Sequence, residues 1–388
     1  MALWLQFFDI GLTSGLKNKL TEAISLGDLE NGKSLVSTTY FMMIILFIPL
    51  CIILQFVIPL INWCVILNIN DNYNDDLIQS LRILAFCFCL QMILNVISSI
   101  SSSYQKVALA NSFPVIGNIC SLLAIFILTK TTDPSLTKLS LAIGLMPLFT
   151  LFIATFILFR TTFSGIRPSI LAIRKKNIRK IFNLGSKFFI IQVQIIVLFQ
   201  SSNFLISYIS SPEYVTFYNI ANRYLSVTMM AFNICLTPLW PAFTDAYICK
   251  DFNWMKQLYK KMKKLYFLSA CILLFMICVS KIVYGLWIGP NTNVPYTMTI
   301  IVGICMIILN WKSLHESLIN GIGTIKLQSI LSLLGMFLHL PLSLLLGKWF
   351  KAEGVIISIC LINLIYGIIF TAQLNKILKN RATGIWLK

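Results

Sequence analysis

The sequence predicts an all-α polytopic membrane protein, a bundle of about eleven transmembrane helices arranged as two related halves. Three observations carry that expectation. Of the 388 residues, 58% are hydrophobic and only 11% charged, with a mean hydropathy of +0.84, far too apolar for a soluble protein of this size. Ten apolar runs approach the length of about 20 residues that crosses a hydrocarbon core about 30 Å thick. Finally, Phe8-Asp9-Ile10-Gly11-Leu12-Thr13 returns 224 residues later as Phe232-Asn233-Ile234-Cys235-Leu236-Thr237.

Taken in order, the apolar runs lie near 37–61, 82–103, 114–129, 138–159, 186–209, 216–239, 265–286, 297–315, 327–346 and 354–375. An eleventh is partial, since Met1 to about Thr13 is apolar but only about half a bilayer-crossing length. It lacks the basic start and small-residue cleavage site of a signal peptide. Pro49, Pro59, Pro147, Pro238 and Pro241 interrupt spans or their ends and predict kinks. The stretch 161–185, with Arg174-Lys175-Lys176 and Arg179-Lys180, predicts a basic linker on anionic lipid between an N-terminal lobe, 1–160, and a C-terminal lobe, 186–388.

The repeat continues with Thr21-Glu22-Ala23 answered by Thr244-Asp245-Ala246, and with Asp28 and Lys33 answered by Asp251 and Lys256, all at an offset of 223. An even number of spans separates the two copies, so both cross the membrane in the same direction and the halves are related by an axis along the membrane normal. On this ruler the second half begins one span earlier than the first. The expectation is a parent fold of twelve spans from which the first span and the outer part of the next are missing.

Charge placement sets the orientation. Of 31 Lys and Arg residues, 23 fall on one side when the loops are alternated, among them Lys17, Lys106, Arg160, Arg179, Lys260, Lys326 and Arg381. Six fall on the other, and Arg223 and Lys312 lie within spans. The basic side is expected to be cytoplasmic, with the C-terminus inside. The net charge of +18 is thus a topology signal and no nucleic-acid partner is expected.

Most of the eleven cysteines lie inside apolar spans and act as small hydrophobes. Cys87-x-Cys89 lacks zinc-ribbon spacing and His315 and His339 are far apart in sequence, so no metal site is expected.

Polar residues aligned on one face of a span point toward a bundle interior or a water-filled cavity. In 216–239, Asn219, Arg223, Ser226 and Asn233 share a face, with Asn222 beside it; in 186–209, Gln192, Gln200, Asn203 and Ser207 form a narrow arc; in 82–103, Gln91, Asn95, Ser98 and Ser102 do the same. Arg223 is the leading candidate for an anionic ligand, because a planar guanidinium matches phosphate oxygens bidentately; an internal ion pair or snorkelling would also accommodate it. Asp9, aligned with Asn233 by the repeat, is a candidate counter-ion, proton or sodium site, or helix cap. His339, in mid-span, is either a titratable coupling residue or a hydrogen-bonded packing residue. Asp9 is the only acidic residue this reading places in a span.

The stretch from Phe8 to Ala23, continuing through Ser34-Leu35-Val36-Ser37-Thr38, resembles the polysaccharide transporter family, as do Leu184-Gly185-Ser186-Lys187-Phe188-Phe189 and Tyr218-Asn219-Ile220-Ala221-Asn222-Arg223-Tyr224. That family includes the O-antigen and lipid-linked oligosaccharide flippases and shares a superfamily with the MATE exporters. The resemblance implies a MATE-like pair of six-helix lobes in the bacterial inner membrane that flips an undecaprenyl-diphosphate-linked sugar unit to the periplasm by alternating access. It implies no cofactor beyond proton or sodium coupling. The implied partners are the lipid-linked oligosaccharide, membrane lipids and other polysaccharide-assembly membrane proteins. The chain departs from the family in its shortened start.

Three alternatives stay open at this stage: an ion-coupled drug exporter of the same fold, a membrane polysaccharide polymerase or acyltransferase, and an inactive fragment. The exporter calls for an acidic lumen. The enzymes call for catalytic groups in a substantial outer loop or a His-centred site, whereas the outer connections here are short and carry no histidine.

Overall fold

In the computed structural model, residues 9, 11–64, 74–133, 135–289 and 294–387 are described, and the structured elements among them are helices. The partial span Met1–Thr13 falls largely outside these residues. The chain divides into two compact units, Met1–Ser186 and Lys187–Lys388.

The first unit contains α1 (Leu12–Ser25), α2 (Leu29–Val57), α3 (Asn74–Leu94), α4 (Val96–Ser103), α5 (Val107–Thr131), α6 (Leu136–Arg160) and the start of α7 (Lys175–Ile209). Leu12, Leu16 and Leu20, spaced by four, bury one face of α1 against Val96, Ile97 and Ile100 of α4 and against Leu35 and Val36 of α2. α5 and α6 cross closely at Gly117. A Cβ there would stand 2.8 Å from Cα of Pro147, so the missing side chain lets the two backbones approach. The outer surface of α5, with Ile119, Leu122, Leu123, Phe126 and Ile127 exposed, is the apolar belt a bilayer requires.

The second unit contains the rest of α7, then α8 (Pro212–Leu236), α9 (Leu239–Ile248), α10 (Phe252–Trp287), α11 (Tyr296–Ile322) and α12 (Lys326–Leu378). Leu225, Leu273, Val302 and Ile356 form one core cluster, and Phe243, Met255, Leu318 and Phe370 another. Phe243 and Phe370 are fully buried.

Nine helices among the described residues are long and apolar enough to span a membrane. The difference from ten is α12, whose 53 residues contain a non-helical Lys351 (φ 52°, ψ −133°). There the chain turns back on itself and forms the two predicted spans as a tight hairpin. A Cβ on Gly354 would lie 2.5 Å from the carbonyl oxygen of Leu346, so glycine is required at that turn.

Pro49, Pro114, Pro147 and Pro341 sit inside helices, and Pro238 marks the break between α8 and α9. The break between α3 and α4 at Asn95 has no proline. Asn95 accepts from Ser98 Oγ at 2.8 Å, supplying a local hydrogen bond where the ladder is interrupted.

Candidate functional site

Within the second unit, α7 and α8 present the polar stripes read from the sequence. Asn219 and Arg223 are exposed one turn apart on α8, Asn233 is exposed farther along it, and Asn222 and Ser226 are half-buried. Val227, Met230 and Ile234 are exposed on the same helix, so the polar strip borders an apolar one. Apolar burial of Tyr218, Ala221, Leu225, Phe232 and Leu236 on the opposite side fixes the helix rotation.

The two stripes touch. Asn219 Nδ2 lies 3.4 Å from Asn203 Oδ1 of α7 and also donates to the Val215 carbonyl at 2.9 Å. Gln200 is exposed on α7 one turn before Asn203's neighbour Phe204, whereas Gln192 is half-buried with its Oε1 buried and unpartnered. Arg223 has no carboxylate within 4.0 Å among the described residues, so the internal ion pair is not formed. Its guanidinium is an exposed cation on a polar helix face, free to take an anion bidentately.

The remaining candidates lie elsewhere. Gln91 donates to the Gly144 carbonyl at 2.8 Å and ties α3 to α6 in the first unit. Asn95 occupies the break described above. Asp9 is buried, and its carboxylate accepts from the Gly11 N–H at 2.9 Å, the Thr13 N–H at 3.1 Å and the Thr13 hydroxyl. It therefore caps the first turn of α1, satisfying donors that a helix start leaves open.

His339 is buried on α12 among hydroxyls. Its Nε2 lies 3.2 Å from Ser202 Oγ of α7, and its Nδ1 lies 3.0 Å from Ser358 Oγ and 3.3 Å from Ser343 Oγ. Since Ser202 already donates to the Leu198 carbonyl at 2.6 Å, it accepts from His339, which assigns the proton to Nε2. Both ring nitrogens are thus engaged, joining α7 to both arms of the α12 hairpin.

A buried ionic cluster escaped the sequence reading. Lys312 Nζ lies 2.8 Å from Glu316 Oε2, with side chains only 7% and 14% exposed. Gln328 donates to the other oxygen of Glu316, and Lys312 also faces the Tyr366 ring at 6.0 Å. Glu316 corrects the expectation that Asp9 is the only acidic residue in a span, because α11 runs on to Ile322, beyond the apolar run that ended at 315. Next to this pair, His315 Nδ1 donates to the Trp311 carbonyl at 2.8 Å and its Nε2 accepts from Tyr259 OH at 2.8 Å. The i, i+4 spacing of Lys312 and Glu316 was the available signal.

Outside the spans, half-buried Lys17 on α1 has its ammonium pushed down to about 8 by desolvation. Among the described residues no group of three or more His, Cys, Asp or Glu could hold a metal ion.

Polysaccharide biosynthesis proteins form the family that matches residues 2–247 of the chain. No curated protein matches. Among solved structures, the Vibrio cholerae MATE transporter VcmN in its bent form aligns with a TM-score of 0.80 at 15% identity, over 100% of this chain and 89% of that one. A MOP superfamily transporter from Pyrococcus furiosus aligns at 0.80 with 14% identity, over 98% and 86%. An outward-facing multidrug-resistance MATE family transporter aligns at 0.79 with 14% identity, over 97% and 86%. The MATE-like all-helical fold expected from the sequence is the fold observed.

Proposed function

The chain belongs to the polysaccharide biosynthesis protein family, and on that premise we propose that this multi-pass membrane protein is a flippase for lipid-linked oligosaccharide. The observation that carries the reading is Arg223. An exposed guanidinium with no carboxylate within 4.0 Å among the described residues, set in a strip of amides on α8 and α7, suits the diphosphate of an undecaprenyl-diphosphate-linked sugar. The amides of Asn203, Asn219 and Gln200 offer donors and acceptors to sugar hydroxyls, and the lipid tail stays in the bilayer. Transport by alternating access across the bacterial inner membrane needs no bond to be made or broken, so the chain acts without catalysis.

The second reading, an ion-coupled exporter of drug-like cations, draws on the likeness in fold to MATE transporters. Cationic cargo calls for an acidic face, and the exposed α8 face carries a cation instead. Cells lacking the gene should accumulate lipid-linked repeat units that never reach the surface, and the gene should restore display. Normal surface polysaccharide in the deletion strain would contradict the proposal.

A further inference from the structure

We propose that the short turn Ile170–Ala172 and the basic start of α7 form a docking surface for anionic phospholipid headgroups, with Ile170 and Leu171 seated among the acyl chains just beneath. The turn inverts ordinary burial. Leu171 is 97% exposed and Ile170 87%, and the turn contributes no buried residue.

Loose packing does not account for that exposure, because the flanking backbone is pinned to α2. The Ser169 N–H donates to Ser37 Oγ at 3.0 Å, the Arg174 N–H to Thr38 Oγ1 at 3.4 Å, and Asn177 Nδ2 to Ser34 Oγ at 2.9 Å. Arg174 also pairs with Glu30. Just upstream, Phe163 and Ile166 are fully buried. The fold thus holds two large apolar side chains outward on a fixed platform.

Cations surround them. Arg167, Lys175, Lys176, Arg179 and Lys180 are exposed, and none has a carboxylate within 4.0 Å among the described residues. The occupant must therefore be apolar at the centre and anionic at the rim. The platform also sits between the ends of two membrane helices, α6 finishing at Arg160 and α7 starting at Lys175. That pattern matches the composition of a phospholipid leaflet at its interface, on the side the charge bias marks as cytoplasmic.

The test uses the full chain with benzoylphenylalanine at position 171, reconstituted in phosphatidylcholine vesicles containing a minority of phosphatidylglycerol. Irradiation is expected to give lipid adducts in which phosphatidylglycerol exceeds its bulk share about fivefold or more, since one cation near an anionic surface has about that effect. The variant Lys175→Gln/Lys176→Gln/Arg179→Gln/Lys180→Gln should keep the lipid adduct and lose the enrichment. The same probe at position 170 gives a second reading that leaves the cations untouched. Absence of a lipid adduct at both positions, adducts to a polypeptide in native membranes, or phosphatidylglycerol at its bulk share would each overturn the proposal.

Discussion

Asp28 and Asp251 occupy the same cap in the two units. Asp28 stands at φ −85°, ψ 74° and accepts the Asn31 N–H at 3.0 Å; Asp251 stands at φ −81°, ψ 69° and accepts the Trp254 N–H at 3.0 Å. The likeness extends around them. Thr21 Oγ1 donates to the Lys17 carbonyl at 2.8 Å and lies 3.4 Å from the Ser103 carbonyl, while Thr244 Oγ1 lies 3.0 Å from the Trp240 carbonyl and 2.6 Å from that of Gly321. The Asp28 N–H returns to Ala23 O and the Asp251 N–H to Ala246 O, both at 2.9 Å. The sequence offset of 223 is thus an offset between two copies of one helix–turn–helix.

Each cap should contribute separately. Asp28→Ala and Asp251→Ala are each expected to lower stability by about 1 kcal/mol, as loss of an N-cap does. Thermal unfolding of the detergent-solubilised protein measures this, and the double variant should show the sum, because the two caps share no partner.

The two turns share a backbone path but carry different residues at its left-handed position. Gly27 adopts φ 72° in the first copy, and Lys250 adopts φ 58° in the second. A side chain in that region costs about 1 kcal/mol, so Lys250→Gly is expected to stabilise the protein by somewhat less than this, since glycine also gains freedom when unfolded. An unchanged or lowered midpoint would show that Lys250 gains compensating contacts.

The Lys312–Glu316 pair should behave as a buried ion pair. Lys312→Met and Glu316→Gln are each expected to destabilise by about 3 kcal/mol or more, because each strands a buried partner. The double variant should be markedly less damaged than the sum of the two singles. Additive losses in unfolding experiments would refute the coupling.

Lys17 gives a pH signature. Its charged form is disfavoured in the fold, so the cost is present in full below about pH 8 and is relieved as pH rises from there toward the ordinary lysine value. Stability should rise with pH across that window in the wild type, and Lys17→Met should remove the rise.

The membrane spans were legible because long apolar runs have few other uses, and even the hairpin inside α12 appeared as two runs around Lys348, Lys351 and Gly354. The break at Asn95 was not legible, since no proline or glycine marks it. Helical period puts Asn219 and Arg223 on one face of α8, where both are exposed, but period cannot name partners. Gln91 turned out to bind a neighbouring backbone carbonyl, and Asp9 to cap its own helix. Glu316 was missed because the apolar run closes at His315, whereas α11 continues to Ile322 and carries Glu316 one turn from Lys312.

The most direct test of the account is flipping of an undecaprenyl-diphosphate oligosaccharide by the purified protein in vesicles, compared with Arg223→Ala and Arg223→Lys. Robust flipping by the wild type is expected, with at least about tenfold loss in Arg223→Ala, as for removal of about 1.4 kcal/mol or more of charge-assisted hydrogen bonding, and partial retention in Arg223→Lys. Equal flipping by all three forms would contradict the phosphate-binding role of Arg223, and no flipping by the wild type would contradict the transport function itself.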